Sequence, residues 1–277
     1  MKTEILTPEF VRKICVAARE TGLFQRRERL VFDPSRIEEK NLHDYVSYVD
    51  RESERRLVAA LSRLLPSAGF ITEEATAAYS GEAWCWIIDP LDGTTNYVHG
   101  ASPYAVSVAL AHLTDGIVAG VVYEPCRDEC FWALRGGGAY LDDRRIGVSP
   151  VAALGAAYIH IGLPYDAVRH GAAVSALLHR FYGKVGGVRI CGSAAMDICD
   201  VAAGRVDAYV EPALHIWDIA AGMLILREAG GSTVDFSGAD WLDAVPDPRG
   251  WASSPFDVVA ANASLQKAFL QAVRECL

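Results

Sequence analysis

The stretch WIIDPLDGTTNYVHG, residues 86–100, constrains the fold more than any other part of the sequence. Its apolar start is typical of a buried strand. Because the residue before a proline is driven out of the helical region, we expect this strand to end at Asp89 and Pro90. The Asp92-Gly93 pair, taken alone, is a common turn signal. Ligands of α/β proteins bind beyond the carboxyl ends of strands, however, so these aspartates also mark a candidate site.

Two different patterns of helices and strands divide the chain. Amphipathic helices are predicted at 8–24 and 50–65, and short strands with tight turns follow over 104–148, which indicates an antiparallel sheet. Strands and helices then alternate to the end of the sequence. We therefore expect one compact unit of mixed α+β and α/β class, with an N-terminal α+β lobe over 1–150 and a C-terminal α/β lobe over 151–277.

The composition excludes several classes of protein. With 51% hydrophobic and 22% charged residues, the chain has the balance of a folded globular protein. The formal net charge of −9 opposes binding to a nucleic-acid backbone. No apolar run reaches the roughly 20 residues that span a bilayer, and MKTEILTPEF lacks the apolar core of a signal peptide. Because the seven cysteines are scattered without a CxxC pair, we expect reduced thiols and a cytoplasmic location. From the charge and the apolar runs we expect no nucleic-acid and no membrane partner.

The acids outside the opening stretch have ordinary structural explanations when each is taken alone. Glu73 and Glu74 follow Thr72 and could lie in the first turn of a helix, and Asp50 could cap the helix that begins near it. Asp218 stands at the start of an almost wholly apolar helical segment, which predicts a buried helix. A carboxylate there needs a partner, because an unpaired buried charge costs several kcal/mol or becomes neutral.

Taken together, these acids predict a metal site. Carboxylates that converge without matching Lys or Arg would repel one another unless cations lie between them. A ligand set made only of oxygen suits Mg²⁺ or Mn²⁺ rather than Zn²⁺. Gly93 and Thr94 open a short predicted helix, whose first backbone N–H groups could hold a phosphate. Metal and phosphate together indicate phosphoryl chemistry.

Two long motifs resemble those of the inositol monophosphatase family of Mg²⁺-dependent, lithium-sensitive phosphatases. WIIDPLDGTTNYVHG is similar to the family signature D-P-[IL]-D-G-T-T-N-[FY], and WDIAAGMLILREAGG is similar to W-D-x-A-A-G-x-x-I-x-x-x-A-G-G. ITEEA, DYVSYVD and CGSAAMDIC match three shorter segments, all in family order over roughly residues 7–275. The resemblance implies an αβαβα layered sandwich and a homodimer.

The resemblance also implies which residues hold the metal. It makes Glu73, Asp89 and the Leu91 carbonyl ligands of a first Mg²⁺. Asp89, Asp92 and Asp218 would hold a second ion, and Glu73 would help to bind a weaker third one. Mn²⁺ is expected to substitute, and Li⁺ or Ca²⁺ to inhibit.

The remaining site residues are assigned by the same resemblance. Thr94, backed by Asp50, would orient the attacking water together with Glu73, without a phospho-enzyme. Gly93 and Thr94 would hold the phosphate through backbone amides. The alcohol part of the substrate would face a larger set: Asp92, Gly192, Ser193, Ala194, Glu211 and Asp218.

The substrate is left open by the sequence. Chains of this kind hydrolyse inositol monophosphates, fructose-1,6-bisphosphate, histidinol phosphate or 3'-phosphoadenosine phosphate. Glu211 stands where the inositol phosphatases keep a hydroxyl-binding acid, which favours a polyol phosphate, although an acid could equally bind an amine. A non-catalytic regulator with the same fold is the alternative from another class. The intact set of mutually repelling acids argues against it.

The chain departs from the family pattern in several places. Thr72 stands where the family usually has glycine, and Glu39 falls at the position of a family lysine, with Lys40 beside it. A role for Lys40 therefore stays open. Segment 238–256 is longer than the usual link and has no assigned role. His215 is expected to be a packing residue, because the proposed ligands are all oxygen atoms.

Overall fold

The computed structural model of the chain describes residues 6–33, 35, 37–41, 44–244 and 255–277. Within them, two large β-sheets and one small hairpin are interleaved with helices. The hairpin, which the sequence analysis did not predict, consists of antiparallel strands β1 (Ile37–Asn41) and β2 (Asp44–Ser47).

The larger sheet has seven strands within the described residues, ordered in space as they are in the sequence. They are β3 (Ala68–Thr72), β4 (Trp84–Asp92), β5 (Ala105–His112), β6 (Gly116–Glu124), β7 (Glu129–Leu134), β8 (Gly138–Leu141) and β9 (Arg144–Arg145). Strands β3 and β4 are parallel, and every later neighbouring pair is antiparallel. The antiparallel sheet predicted for the first lobe is therefore confirmed.

The smaller sheet has five strands in the described part of the chain, in the spatial order β11-β10-β12-β14-β13. They are β10 (Tyr158–Ile161), β11 (Gly187–Arg189), β12 (Ala208–Leu214), β13 (Gly231–Val234) and β14 (Phe256–Asn262). Strand β10 runs parallel to β11 and β12, and β14 runs antiparallel to β12 and β13. Each strand falls in a segment where the sequence predicts one.

Helices separate and cover the two sheets. They are α1 (Pro8–Arg29), α2 (Tyr48–Leu64), α3 (Thr94–His99), α4 (Ala167–Phe181), α5 (Ala194–Ala202), α6 (Ile216–Glu228), α7 (Trp241–Ala244) and α8 (Gln266–Arg274). Helices α1 and α2 pack on the outer face of the larger sheet, α5 and α6 lie between the sheets, and α4 and α8 cover the smaller sheet. This is the αβαβα sandwich that the family resemblance implies.

Helix α1 is longer than the sequence predicts. It runs to Arg29 rather than to residue 24. Its last turn carries Arg26, Arg27 and Arg29, whose positive charges are favourable beside the carbonyl end of a helix. The predicted end at residue 24 was wrong, and Gly22 lies inside the helix, on its buried face.

Strand β4 contains a β-bulge at the two aspartates. Asp89 pairs with Ser107 and Asp92 pairs with Ala105, so three steps along β4 match two steps along β5. The strand therefore ends at Asp92, not at Asp89 and Pro90 as the sequence predicts, because a bulge tolerates a proline within a strand. Residues three apart in a regular strand face opposite sides, and the extra residue brings both aspartates to one side.

The two sheets share a core through helix α6. This helix packs between the sheets, where Ile219, Met223 and Leu226 are fully buried. The boundary expected near residue 150 falls between β9 and β10, and the division into lobes stays a prediction. Among the described helices, none is long and apolar enough to span a membrane.

A cavity in α6 should destabilise the whole fold. Leu224 is fully buried in the layer between the sheets, so Leu224→Ala should lower the free energy of unfolding by about 2–5 kcal/mol. Val16→Ala is the control, because that side chain is 54% exposed on α1 and should change stability by about 0.5 kcal/mol or less. Urea denaturation measures both. Equal effects of the two substitutions would contradict the assignment of α6 to the shared core.

Candidate active site

Four carboxylates from three parts of the chain act on one another electrostatically. Asp89 and Asp92 lie on the bulged end of β4 and are 2% and 8% exposed. Glu73 follows β3, and Asp218 lies in the first turn of α6; both are half-buried. These four residues are called the carboxylate cluster below.

The pKa values of the three aspartates of the cluster are raised. Burial, and then the charges of Glu73, Asp92 and Asp218, raise the pKa of Asp89 well above its ordinary value. Burial and the neighbouring acids, first Asp92, likewise raise the pKa of Asp218. Burial raises the pKa of Asp92 to about 6, although hydrogen bonds from Ser193 and Ala195 oppose the change. Both burial and repulsion therefore oppose negative charge on these acids.

Asp92 connects the end of β4 to the start of α5 by hydrogen bonds. Its Oδ2 accepts from the Ser193 hydroxyl at 2.5 Å and from the Ala195 amide at 2.8 Å. Ser193 caps α5, and Ala194 is the first residue of that helix. One predicted metal ligand therefore accepts a hydrogen bond from Ser193, a residue predicted to face the substrate, whose chain neighbours Gly192 and Ala194 belong to the same predicted set.

The two other aspartates of the cluster are oriented by nearby backbone amides. Oδ1 of Asp89 accepts from the Leu91 amide at 2.9 Å, within the bulge. Oδ2 of Asp218 accepts from the His215 amide at 2.7 Å, at the start of α6. Each carboxylate is thus held through one of its oxygens by the turn that carries it.

Thr94 is held by a buried acid, Asp50. Its hydroxyl lies 2.9 Å from Oδ1 of Asp50 and 3.0 Å from the Leu91 carbonyl oxygen. Oδ2 of Asp50 accepts from the amide and the hydroxyl of Ser47 at 2.8 and 2.7 Å. Burial raises the pKa of Asp50, although these hydrogen bonds act in the opposite direction. Ser47, not Asp50, is the N-cap of α2.

Gly93 allows the backbone to turn tightly into α3. Its φ is +88°, and a Cβ there would lie 3.0 Å from the carbonyl oxygens of both Pro103 and Gly192. The side chain of Asn96 donates to the carbonyls of Pro103 and Cys191 at 2.7 and 2.8 Å. The first turn of α3, whose amides have no carbonyl partner within the helix, is thereby fastened to the loop before α5.

Glu211 lies in a tight buried position near the cluster. The Tyr209 hydroxyl donates to its Oε2, and a Cβ at Gly162 would overlap that same oxygen at 1.8 Å. Burial raises the pKa of Glu211 to about 8, with smaller contributions from the charges of Asp197 and Asp92. Glycine at 162 is therefore required for this side chain to fit.

Glu54 is a supporting residue that the sequence analysis missed. It is fully buried, and it accepts from the amides of Glu74 and Thr76 at 2.8 Å and from the Thr76 hydroxyl at 2.6 Å. Glu73 and Glu74 consequently lie in a turn after β3, and the helix considered for them was wrong. The available signal was spacing, since Glu54 stands one helical turn after Asp50 on α2.

Other predicted features lie at the margin of the site or outside the described residues. His215 is exposed, and its ring stacks on Trp217 with centroids 4.6 Å apart. The side chain of Lys40 and residues 245–254 of the long segment fall outside the described part of the structure.

The donor atoms of the cluster fit a hard divalent cation. Carboxylates from Glu73, Asp89, Asp92 and Asp218, with the carbonyl of Leu91, offer only oxygen, which Mg²⁺ and Mn²⁺ prefer. The charges that raise the pKa of Asp89 and Asp218 come from other carboxylates. A cation among these residues would reverse the repulsion between them.

Known proteins similar to this chain agree on one family. The model of the inositol monophosphatase family matches residues 8–277. An inositol-1-monophosphatase of Mesorhizobium japonicum is 43% identical over 236 residues, 84% of each chain, and a putative Nus factor SuhB of Neisseria meningitidis is 41% identical over 91% of this chain and 93% of its own. The crystal structure of extragenic suppressor protein suhB from Bartonella henselae superimposes with a TM-score of 0.85 at 35% identity, and it covers 96% of this chain and 98% of its own.

The repulsion within the cluster should make metal-free stability depend on pH. An acid whose pKa is higher in the folded than in the unfolded protein stabilises the fold at a pH below its unfolded pKa of about 4. This contribution is lost as the pH rises through the pKa of the folded protein. Asp92→Asn should therefore match the wild type near pH 4 and melt at a higher temperature near pH 8, with the difference developing around pH 6.

Differential scanning calorimetry without metal checks this expectation. Asp143→Asn, the same change at an exposed aspartate, should show no such difference. Millimolar Mg²⁺ near pH 8 should raise the melting temperature of the wild type by more than that of Asp92→Asn. The account of the cluster fails if Asp92→Asn is the less stable protein near pH 8 without metal.

Proposed function

Because the chain belongs to the inositol monophosphatase family and is a phosphatase, we propose that it hydrolyses the phosphate monoester of a small polyol, most closely inositol monophosphate, with Mg²⁺. The observation that carries this proposal is the carboxylate cluster placed directly beside the first turn of α3. Metal ligands and phosphate-binding amides are the two parts that phosphoryl transfer needs.

The roles of the cluster follow from its donor atoms. We propose that Glu73, Asp89 and the Leu91 carbonyl hold one Mg²⁺, that Asp89, Asp92 and Asp218 hold a second, and that Glu73 contributes to a weaker third. When bound, such ions lower the pKa of the attacking water and neutralise charge on the phosphoryl oxygens.

Thr94, Asp50 and Glu73 are proposed to orient the attacking water. Both oxygens of Asp50 are held by hydrogen bonds, and its Oδ1 can accept the hydrogen bond that the Thr94 hydroxyl donates. A lone pair of that hydroxyl is then directed outward. A hydroxyl ordered in this way can accept a hydrogen bond from water, and Glu73 can accept a second one. The backbone amides of Gly93 and Thr94 would hold the phosphate oxygens.

The alcohol part of the substrate is proposed to lie between the two lobes. Gly192, Ser193 and Ala194 adjoin Asp92, and Glu211 lies close enough for its charge to act on Asp218. A carboxyl with a pKa of about 8 retains its proton near neutral pH and can both donate to and accept from a hydroxyl. This supports a polyol over an amine such as histidinol, whose ammonium would favour an ionised carboxylate.

Further properties are proposed from the family resemblance. They comprise a cytoplasmic homodimer, activity with Mn²⁺ in place of Mg²⁺, and inhibition by Li⁺ or Ca²⁺. The net charge of −9 supports the absence of a nucleic-acid partner.

A binding role is the second candidate function. It is favoured by the name of the Neisseria meningitidis relative, a putative Nus factor, which is nearly as similar to this chain as the named inositol-1-monophosphatase. The intact carboxylate cluster supports catalysis instead, because a binding protein gains nothing from buried acids that repel one another.

A substrate panel separates these functions. Phosphate release in Mg²⁺ should be fastest with inositol monophosphate and slower with fructose-1,6-bisphosphate, histidinol phosphate and 3'-phosphoadenosine phosphate. Chelation should abolish release. Glu211→Ala should raise KM for the preferred polyol by about 10-fold or more, because the hydrogen bonds of this carboxyl to a substrate hydroxyl are lost. No release from any monoester by folded protein with Mg²⁺ would contradict catalysis, and a faster reaction with another substrate would replace the polyol assignment.

Asp92→Asn tests the role of the cluster in turnover. It removes a charge from the proposed second metal site, so kcat should fall by more than about 100-fold. Even the substitution of a residue that only hydrogen-bonds to a metal ligand lowers metal affinity or activity by about 10–100-fold. Asp143→Asn should retain wild-type turnover. Steady-state phosphate release measures both variants. Near-normal turnover by Asp92→Asn would show that the metal assignment is wrong.

A further inference from the structure

A second group of side chains that can bind metal lies outside the carboxylate cluster. His160 on β10, Cys191 after β11 and Asp197 on α5 place their ligand atoms within 4.8 Å of one another. His160 and Asp197 are 4% and 1% exposed, and Cys191 is half-buried. These three residues, called the thiol cluster, have no part in the proposed hydrolysis.

The sulfur–nitrogen distances in the thiol cluster are close to those between two ligands of one metal ion. The Cys191 sulfur lies 3.7 Å from Nδ1 and 3.8 Å from Nε2 of His160. In a tetrahedral zinc site, with bonds of about 2.3 Å to sulfur and about 2.0 Å to nitrogen, these ligands stand about 3.5 Å apart. Nδ1 of His160 lies 2.5 Å from Oδ1 of Asp197. This distance would have to increase by roughly 0.8 Å for both atoms to bind one ion.

The thiol cluster contains a buried acceptor without a hydrogen bond in the described part of the chain. Oδ2 of Asp197 is buried and accepts no hydrogen bond among the described residues. A buried carboxylate oxygen without a partner is costly. A cation bound beside it would supply the missing interaction.

The surroundings also favour positive charge. Burial opposes the imidazolium form of His160, but its hydrogen bonds with Asp197 and Cys191 outweigh burial and raise its pKa to about 10. The potential that holds a proton here would also attract a divalent ion. Cys191, which is half-buried, gives that ion a route from solvent.

We propose that His160, Cys191 and Asp197 form a second cation site, for one thiophilic divalent ion of the Zn²⁺ class. The nitrogen, sulfur and oxygen donors suit Zn²⁺ and exclude Mg²⁺, which prefers oxygen alone. Binding releases the protons of the thiol and the imidazole to solvent, and a water molecule completes four ligands.

The site lies directly beside the proposed substrate loop. The Cys191 carbonyl accepts from Asn96, and Gly192 and Ser193 follow at once in the chain. The charge of Asp197 also contributes to the raised pKa of Asp92. An ion in the thiol cluster therefore acts next to the carboxylate cluster while using none of its ligands.

Cobalt spectroscopy tests the site without any measurement of turnover, so its result stands whether or not the proposed function is correct. Co²⁺ is titrated into the whole protein in excess Mg²⁺, which occupies the oxygen-only cluster. We expect a thiolate-to-cobalt charge-transfer band that saturates at one equivalent and is displaced by Zn²⁺. Cys191→Ser should abolish the band, and Cys126→Ser, at an exposed cysteine, should retain it.

A second variant guards against misfolding of the first. His160→Gln keeps the thiol and should weaken the cobalt affinity by at least about 10-fold. Circular dichroism establishes that each variant is folded. Absence of the band in wild-type protein, or its persistence in folded Cys191→Ser, would overturn the proposal.

Discussion

Mutual repulsion among four carboxylates is the main unfavourable interaction that this fold has to offset. The charges of Glu73, Asp92 and Asp218 raise the pKa of Asp89, and two of the four side chains are almost wholly buried. Such an arrangement opposes folding unless other parts of the protein compensate for it. The large shared core and the hydrogen bonds to individual carboxylate oxygens provide that compensation.

The αβαβα sandwich supplies these acids from elements that are already rigid. The bulge in β4 turns Asp89 and Asp92 to one side, and helix α6, buried between the sheets, carries Asp218 at its start. Ser193 and the Ala195 amide then connect Asp92 to the start of α5. The cluster therefore depends on correct packing of both α5 and α6 against the larger sheet.

Features contained within one motif could be predicted from the sequence. The DPLDG motif combines turn residues with acids, and the apolar run after Asp218 indicated a buried helix. Both features lie in the αβαβα fold of the family. Local rules failed where another constraint overrode them. The bulge kept Pro90 within β4, and Ser47 took the capping position considered for Asp50.

Contacts between distant parts of the chain could not be predicted from a single sequence. Gln25 donates to the Pro90 carbonyl at 2.7 Å, and Asn96 fastens α3 to the loop at Cys191. No local pattern relates such positions, because only the folded arrangement of sheets and helices brings them together. The position of Glu211, which requires glycine at 162, is unpredictable for the same reason.

Anomalous diffraction from crystals grown with Mn²⁺ locates the ions themselves. The proposed metal site predicts at least two anomalous peaks among the carboxylate oxygens of Glu73, Asp89, Asp92 and Asp218, one of them bound to the Leu91 carbonyl. Each peak should lie within ordinary metal–oxygen distance, about 2.0–2.2 Å. Crystals that contain Mn²⁺ elsewhere but none among these four carboxylates would contradict it.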